Sequence, residues 1–202
     1  MFFRKKPSPR TGLSVEEAAK RTPPGQYLTD KFPVLTYGPT PRFDPETWDF
    51  RVWGLVEEQA RWTYEQFMEL PTVQITADFH CVTTWSRLEN RWEGVSIHEI
   101  MKHVQLKPEA QFAMFHCDGG YTTNVSLEVL LDDDVLLAYK LDGENIDLAH
   151  GWPLRSIVPK RYAWKSAKWL RGIEFMAADK PGFWERNGYH MDGDPWKEER
   201  YR

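Results

Sequence analysis

Alternating apolar and polar side chains mark several short strands along the chain. The clearest runs from Val73 to Phe79, where apolar residues at odd positions alternate with polar residues at even positions. Further strands are predicted over residues 48–56, 111–116 and 135–141, with a late strand around Ile173 and Phe175. The strands do not alternate regularly with long helices, and no internal repeat is present. The pattern therefore predicts an α+β fold with mixed sheets and short helices.

Short helices are predicted where a capping residue opens a turn. Ser14 is followed three residues later by Glu17, and Thr63 by Gln66, which is the spacing of a capping box. The predicted helices begin at Ser14, Thr63, Ser96 and Ser126. We predict an N-terminal arm with one short helix over residues 1–21 and a single domain over residues 22–202.

The segment over residues 22–47 is rich in proline and has no lasting periodicity. Such a composition predicts an extended, irregular chain that lies against the rest of the domain. It either wraps the surface or forms a wall of a site for a large ligand. Residues 1–12 are expected to form a disordered arm, in which Arg4, Lys5, Lys6 and Arg10 make a solvated basic cluster.

The charge and the cysteine content exclude several classes of protein. A net charge of −4 at pH 7 provides no basic field for nucleic acid. No apolar run is long enough to cross a bilayer and no export leader is present, so we expect a cytoplasmic protein. Two cysteines, Cys81 and Cys117, allow at most one disulfide, and we do not expect one in that compartment.

Cys81 combines two properties that favour a role in chemistry. It shares the odd-numbered parity of Val73 and Phe79, so it is predicted to point inward at the carboxyl end of the strand. A thiol held there can contact a bound cofactor from a fixed position. The alternative is that Cys81 is a small buried hydrophobic residue, as free cysteines commonly are.

Two His–Cys pairs provide a second candidate metal site. His80 precedes Cys81 and His116 precedes Cys117, so a zinc or iron site of two histidines and two cysteines is an alternative. Neighbouring residues on a strand point to opposite faces. Both members of a pair therefore ligate one metal only if the strand bends.

A cationic stretch between residues 149 and 169 predicts an anion-binding site. Arginine offers a bidentate fork to phosphate, lysine offers a point charge, and loop amides complete such a site. Tryptophans interleave the charges, which argues against a simple solvated surface. The cationic side chains belong to His150, Arg155, Lys160, Arg161, Lys165 and Lys168.

Two long motifs resemble the molybdopterin domain of the sulfite oxidase family. They read FHCVTTWSRLENRWEGVS over residues 79–96 and LLAYKLDGENIDLAHGWPLRSIVPKRYAWKSAKWLRGIEF over residues 136–175. The family also contains assimilatory nitrate reductases and bacterial protein-methionine-sulfoxide reductases. The resemblance runs from about Phe32 to Tyr189 and implies a molybdopterin cofactor with molybdenum.

The resemblance also implies the metal ligand and the catalytic residues. Cys81 matches the family cysteine whose sulfur binds molybdenum. Tyr189, five residues after Trp184, matches the family tyrosine on the substrate side of the metal. Cys81 and Tyr189 are therefore the predicted catalytic residues.

Contacts to the pterin and its phosphate are implied in the same way. His150 and Arg155 stand in HGWPLR, which matches the family motif HG-x-P-x-R. The early segment before GPTP matches one that lines the pterin, and Cys117 lies near a family threonine that contacts the cofactor. Apolar Leu35 replaces a family arginine, which is a departure from the pattern. The predicted cofactor-binding residues are Val34, Tyr37, Cys117, His150, Arg155, Ser166, Ala167 and Lys168.

The reaction implied by the resemblance is a two-electron oxygen-atom transfer on a small oxoanion, sulfoxide or N-oxide. The family's sulfite-binding arginines have no assignable match in this sequence. We expect an external electron carrier as a partner, because no heme or flavin motif is present. Two alternatives stay open: a non-catalytic molybdopterin carrier or electron-transfer subunit, and a zinc-site protein using His80, Cys81, His116 and Cys117.

Overall fold

Two β-sheets and five short α-helices make up the described part of the chain, residues 10–202, in this computed structural model. The helices are α1 Val15–Lys20, α2 Tyr64–Met68, α3 Ile97–Met101, α4 Leu127–Leu130 and α5 Phe183–Arg186. The strands are β1 Tyr27–Leu28, β2 Asp49–Gly54, β3 Ala60–Thr63, β4 Val73–His80, β5 Trp85–Ser96, β6 Phe112–Cys117, β7 Thr122–Ser126, β8 Leu136–Leu141, β9 Glu144–Asn145, β10 Arg155–Ile157 and β11 Leu170–Met176. The predicted fold class is confirmed.

The first sheet has six strands, and its centre is the long strand β5. β4 pairs antiparallel along β5, while β1 pairs parallel with the start of β5 and β8 pairs antiparallel with its end. β9 and β10 both pair with β8. The second sheet has five strands in the order β3-β2-β11-β6-β7, of which β2 and β11 run parallel. Both sheets are therefore mixed, as the irregular succession of elements predicts.

Each predicted cap is present and starts a helix. The hydroxyls of Ser14 and Thr63 accept a hydrogen bond from the backbone N–H three residues on, in complete capping boxes. The hydroxyls of Ser96 and Ser126 cap α3 and α4 through the corresponding N–H. Within residues 10–202, no helix has the length and apolar character needed to cross a membrane.

The N-terminal arm differs from the expectation at its end. Arg4, Lys5 and Lys6, predicted to be solvated, lie outside the described residues. The guanidinium of Arg10 donates hydrogen bonds to the main-chain oxygens of Leu88 and Glu89. The prediction of a solvated, disordered Arg10 is therefore wrong, because these carbonyls offer acceptors that replace water.

Strand β5 is the main element that the sequence pattern does not predict. Its buried apolar residues are Trp85, Leu88, Trp92 and Val95. They lie three or four positions apart, which is the spacing of a helix face. The strand tolerates this spacing because Glu89 has a positive φ of 52° and the register against β4 shifts between Ala77 and Phe79.

Hydrophobic clusters cover both faces of the first sheet. On β8, Leu137 and Tyr139 pack into a cluster shared with the second sheet, whereas Leu136 and Ala138 pack into a separate cluster. We call the separate one the tryptophan cluster. It is formed by Ala77, Phe79, Cys81, Val82, Trp85, Trp92, Leu136, Ala138, Ile146, Ile157, Tyr162 and Trp164. Cys81 is therefore buried on the face that points away from the second sheet.

Candidate functional site

Cys81 lies at the carboxyl end of β4, where main-chain hydrogen bonds hold its backbone on both sides. Its N–H donates to the Trp85 oxygen at 2.8 Å, and its carbonyl accepts from the Thr84 N–H at 3.0 Å. The Gln26 side-chain amide donates to the same carbonyl at 3.1 Å. The residue is 6% exposed, so the inward orientation predicted from strand parity is confirmed.

The thiol of Cys81 has apolar surroundings and one polar neighbour. Its Sγ lies 3.1 Å from the Thr83 hydroxyl, and either atom can donate this hydrogen bond. Burial raises the pKa of the thiol, while contacts with Thr83 and the charge of Arg200 lower it in part. The net pKa is raised, so the thiol is protonated at neutral pH.

Tyr189 reaches the same cluster from the carboxyl-terminal part of the chain. Its ring stacks on Trp184 with 4.9 Å between centroids and meets Trp164 edge-on at 5.1 Å. Gly188 precedes it with a φ of 96°, which glycine adopts without strain. The bend predicted here is present, and it packs Tyr189 against the tryptophan cluster that contains Cys81.

The last residues of the chain contact both predicted catalytic elements. Tyr189 and Tyr201 form an antiparallel bridge, and their rings are 5.2 Å apart. Arg200 donates to the main-chain oxygen of Val82 at 2.7 Å, next to Cys81. Burial raises the pKa of the Tyr189 phenol, with smaller contributions from Tyr201 and Cys81. The hydroxyl of Tyr189 therefore stays protonated at neutral pH and can donate a hydrogen bond.

Arg155 is a buried cation held by main-chain oxygens. It is 3% exposed and donates to the carbonyls of His150 at 2.8 Å and Ser166 at 2.9 Å. Its Nε is buried without a hydrogen-bond partner, and its guanidinium carbon lies 5.2 Å from the centroid of the Phe79 ring. Arg155 thus keeps one guanidinium nitrogen without a hydrogen-bond partner.

Lys168 lies beside Arg155 and is also held by main-chain oxygens. Its Nζ donates to the carbonyls of Leu35 and Ala149, each at 2.9 Å. Gly151, with a φ of 119°, packs against both cations, since a Cβ there would lie 3.1 Å from the Cβ of Arg155 and of Lys168. A side chain at Gly151 would crowd both residues and would be strained at this positive φ.

The charges of Arg155 and Lys168 are not balanced by a nearby carboxylate in the part of the chain that the structure describes. Burial lowers the pKa of Arg155, and burial together with the charge of Arg155 lowers the pKa of Lys168 to about 8. The charge of Arg155 therefore destabilises the charged form of Lys168. An anion bound next to them would remove this penalty, so the pair is a candidate anion-binding site.

His150 and the early segment lie next to the two cations. The Nε2 of His150 donates to the Phe32 oxygen at 2.9 Å, and the two rings are 4.9 Å apart. Val34 and Tyr37 are 51% and 70% exposed, and their segment is attached to Lys168 through the main-chain carbonyl of Leu35. The early segment is irregular, as predicted, and it borders the cations with exposed side chains.

Ser166 and Ala167 run alongside β10. The Ser166 hydroxyl accepts from the Val158 N–H at 2.9 Å, and the Ala167 N–H donates to the Ser156 hydroxyl at 2.7 Å. These bonds hold the segment that carries Lys168 next to the strand that carries Arg155. The structure therefore brings the predicted cofactor residues of both segments together.

Cys117 belongs to the cation side of the molecule. It is 8% exposed at the end of β6, and burial together with the charge of Asp118 raises its pKa. It also interacts electrostatically with Arg155, which lowers the pKa of Cys117 in part. The two cysteines are free and occupy different hydrophobic clusters.

The alternative zinc site is not assembled. The Nδ1 of His80 lies 2.8 Å from a serine hydroxyl, and the Nε2 of His116 lies 2.9 Å from a Glu174 oxygen. Within residues 10–202, no three His, Cys, Asp or Glu side chains are placed to hold a metal ion together. The zinc prediction is wrong, because Cys81 follows a strand of the first sheet and Cys117 ends a strand of the second.

In the predicted anion-binding stretch, the Nδ1 of His150 lies 3.2 Å from an Asp147 oxygen. Three of the five lysines and arginines in this stretch are neutralised by carboxylates. The pairs are Lys160 with Asp132 at 2.8 Å, Arg161 with Asp192 at 2.8 Å and Lys165 with Glu185 at 2.6 Å. For these three cations the prediction is wrong, because acidic residues distant in sequence reach them in the fold. Sequence reasoning also missed Trp164 and Arg200, since their contacts with Tyr189 and Val82 are long-range. It missed the stacking of Trp184 as well, although Tyr189 is only five positions away.

A cavity of about 470 Å³ lies elsewhere, against Thr76, Asp78 and His80 on the opposite side of β4 from Cys81. Its lining includes none of the predicted cofactor residues. The location of the candidate site therefore depends on the chemistry of the buried thiol and the unbalanced cations, not on cavity size.

Comparison with known proteins identifies the family of this chain. A sequence profile described as "Oxidoreductase molybdopterin binding domain" matches residues 37–184. The chain is 46% identical over 182 residues to the uncharacterized oxidoreductase YuiH of Bacillus subtilis, covering 90% of this chain and 92% of YuiH. It is 25% identical to a putative protein-methionine-sulfoxide reductase subunit, YedZ1 of Azospira oryzae, covering 84% of this chain and 66% of that protein.

The fold is shared with a solved structure. The sulfane dehydrogenase SoxCD from Paracoccus pantotrophus superposes with a TM-score of 0.64 at 17% identity, covering 93% of this chain and 58% of that chain. The chain belongs to the oxidoreductase molybdopterin-binding domain family and is a sulfite oxidase-like oxidoreductase. The predicted family is confirmed, while the predicted domain boundary after residue 21 stays a prediction.

Anion binding at Arg155 and Lys168 is expected to weaken above about pH 8. Below that pH Lys168 is charged in the free protein, because its pKa is about 8. Above it the ammonium is lost, so binding must take up a proton, and affinity falls by up to about tenfold per pH unit. Calorimetric titration of the cofactor-free protein with inorganic pyrophosphate at about pH 7 and about pH 9.5 measures this loss.

A Lys168→Arg variant is the matched control for this titration. Arginine keeps its charge over the same range, so its affinity for pyrophosphate should fall much less. Equal pH dependence in the wild type and in Lys168→Arg would show that Lys168 is not the titrating group.

Proposed function

We propose that this chain is a molybdopterin-dependent enzyme that transfers an oxygen atom in a two-electron step to or from a small oxoanion, sulfoxide or N-oxide. The observation that carries the proposal is the adjacent pair of buried Arg155 and half-buried Lys168, which have no carboxylate partner in the described part of the chain, with the Arg155 Nε unpartnered. A cofactor that ends in phosphate fits this pair. Cys81, an inward thiol at a rigid strand end, fits a soft metal.

The proposed contacts divide between the two ends of the cofactor. Arg155, Lys168 and His150 would bind the phosphate and the pterin, and the Cys81 thiolate would bind molybdenum. Further contacts to the pterin are proposed for Val34, Tyr37, Cys117, Ser166 and Ala167. When bound, the cofactor supplies two-electron oxygen-atom transfer, which no amino-acid side chain performs.

Tyr189 is proposed to orient the substrate. Its phenol is protonated at neutral pH, because burial raises its pKa, so it can donate a hydrogen bond to a substrate oxygen. Trp184 and Trp164 pack against its ring and restrict its rotation.

The relatives support a redox role but differ in what their names state. One is a putative protein-methionine-sulfoxide reductase subunit and a structural neighbour is a sulfane dehydrogenase. The chain spans 66% of the first and 58% of the second, so substrate and electron partner are proposals here. We propose an external electron carrier and a cytoplasmic location.

Metal and pterin analysis of the purified protein is the direct test. We expect molybdenum and pterin in about equal amounts, and turnover on at least one of sulfite, dimethyl sulfoxide and trimethylamine N-oxide with a small redox dye. Protein that binds molybdenum and pterin but turns over no member of a wide panel would favour a non-catalytic carrier. Protein without molybdenum or pterin after expression with both supplied would contradict the proposal.

A Tyr189→Phe variant is expected to keep the cofactor and the fold but lose roughly 10- to 100-fold in turnover. This corresponds to one transition-state hydrogen bond of about 1.5–3 kcal/mol. Steady-state kinetics on the substrate identified above measures the loss. Tyr64→Phe is the control, since Tyr64 packs on Phe43 and Trp48 in the other cluster. Unchanged turnover in Tyr189→Phe would limit Tyr189 to a packing role.

A further inference from the structure

Lys165 and Glu185 form an ion pair that is completely enclosed. The two side chains are 1% and 0% exposed, and the Nζ of Lys165 lies 2.6 Å from the Oε1 of Glu185. The same Nζ donates to the Asn124 carbonyl at 2.9 Å, the Asn124 amide oxygen at 2.7 Å and the Met191 carbonyl at 2.7 Å. The ammonium is thus surrounded by acceptors from three separate segments.

Glu185 is held through one of its two carboxylate oxygens, because its Oε2 is buried without a hydrogen-bond partner. Its Oε1 also accepts from the Thr123 hydroxyl at 2.9 Å and from the Trp164 indole N–H at 2.8 Å. Enclosing two charges costs several kcal/mol per ion, and an apolar pair of similar volume often stabilises a fold as well or better. The stability of the fold therefore does not by itself explain this pair.

The position of the pair relates it to the candidate site. Lys165 lies between Trp164, which packs on Tyr189, and Ser166, which begins the predicted cofactor segment. Glu185 follows Trp184, whose ring stacks on Tyr189. The ion pair therefore joins the two short segments that supply the aromatic walls around Tyr189.

Helix α5 depends on the Lys165–Glu185 ion pair for its position. It has four residues, and no side chain caps its first turn at Gly182. A helix of this length has almost no stability of its own. A Cβ on Gly182 would lie 2.5 Å from the Thr122 oxygen and 2.6 Å from the Glu185 Oε2, so the helix start sits directly on β7. Only Glu185, among the residues of α5, is buried.

We propose that Lys165 and Glu185 are positioning residues that fix the Trp164–Tyr189–Trp184 stack relative to Cys81. They act through the indole hydrogen bond to Trp164 and through α5, and they touch neither the substrate nor the cofactor. The inference rests on the proposed function only for the role of Tyr189 in turnover. The position of the stack is a property of the cofactor-free chain.

Glu185→Gln is the first test, because glutamine keeps the shape of the side chain and an oxygen for its three donors while it removes the charge. We expect kcat to fall roughly 10- to 100-fold with little change in KM, as for a misplaced reacting group. The double variant with Glu185→Gln and Tyr189→Phe should lose no more turnover than the worse of the two single variants, because both changes remove the same contribution to turnover. Multiplicative losses in the double variant would overturn the proposal.

Amide hydrogen exchange in the cofactor-free protein is the second readout, and it needs no turnover. Glu185→Gln should speed exchange at the Asn187, Gly188 and Tyr189 amides, whose backbone donors bond to residues of α5. Asp49→Asn is the matched control: Asp49 is also buried and paired with arginines, but it lies in the second sheet. Unchanged exchange in Glu185→Gln, or equal acceleration in Asp49→Asn, would overturn the positioning role.

Thr123→Val provides a milder variant if Glu185→Gln fails to fold. It removes one hydrogen bond to the Glu185 carboxylate and leaves the ion pair in place. We expect a smaller acceleration of exchange at the same three amides. If Tyr189→Phe alone has no kinetic effect, the proposed role of Tyr189 in turnover fails, and the exchange data still decide the positioning of the stack.

Discussion

A Cys81→Ser variant is expected to lose all measurable turnover while keeping its fold. Serine fills nearly the same volume and can still hydrogen-bond the Thr83 hydroxyl, which lies 3.1 Å from the sulfur. Its oxygen is a hard ligand that is not deprotonated at neutral pH, whereas molybdenum in this kind of site selects a soft thiolate. Turnover and the visible absorption spectrum of the metal, compared with the wild type, measure the effect.

Cys117→Ser is the comparison for this variant. Cys117 is buried to a similar degree but lies in the other hydrophobic cluster. Its replacement should leave the thiolate-to-metal absorption in place, even if it lowers stability by about 1–3 kcal/mol through burial of a hydroxyl. An unchanged metal spectrum with full turnover in Cys81→Ser would refute the ligand assignment.

An Arg155→Ala variant is expected to be purified largely without cofactor. Removing the guanidinium leaves the carbonyls of His150 and Ser166 without their donor and deprives a buried phosphate of its cation. Truncating one partner of such a pair costs about 2–5 kcal/mol, and Lys168→Ala should cost a similar amount. Molybdenum and pterin per chain after gel filtration provide the readout.

Two variants make this result specific to Arg155. Lys160→Ala removes a cation from the same stretch, but this cation is already paired with Asp132 on the surface. Cofactor occupancy in the Lys160→Ala variant should therefore be normal. Arg155→Lys keeps the charge but loses the planar donor set, so its cofactor occupancy should lie between those of the wild type and of Arg155→Ala. Normal occupancy in both Arg155→Ala and Lys168→Ala would show that the phosphate binds elsewhere.

Local features of the sequence were sufficient for much of the fold. The capping residues Ser14 and Thr63 start helices because a hydroxyl and an N–H three residues apart need no other part of the chain. The inward orientation of Cys81 follows from the alternation of a strand. The family was also readable from the sequence, because its motifs around Cys81 and in HGWPLR are contiguous segments.

The tertiary structure decided how the charges are used. Six cations in one stretch look equivalent in the sequence, yet Lys160, Arg161 and Lys165 are neutralised by acids that the fold brings to them. Arg155 and Lys168 meet no carboxylate in the described part of the chain. Whether a cation is available to a ligand depends on its neighbours in space, which composition and spacing do not contain.

The tertiary structure also decided which side chains surround the buried thiol. The sequence by itself determined that Cys81 points inward and that the chain bends before Tyr189, because strand parity and glycine conformation are local properties. Trp184 and Arg200 lie more than a hundred positions from Cys81 in the sequence. Strand β5 is irregular, and for that reason its buried residues have the spacing of a helix face. Such contacts arise only when long-range packing overrides local pattern, so the fold alone placed these groups together.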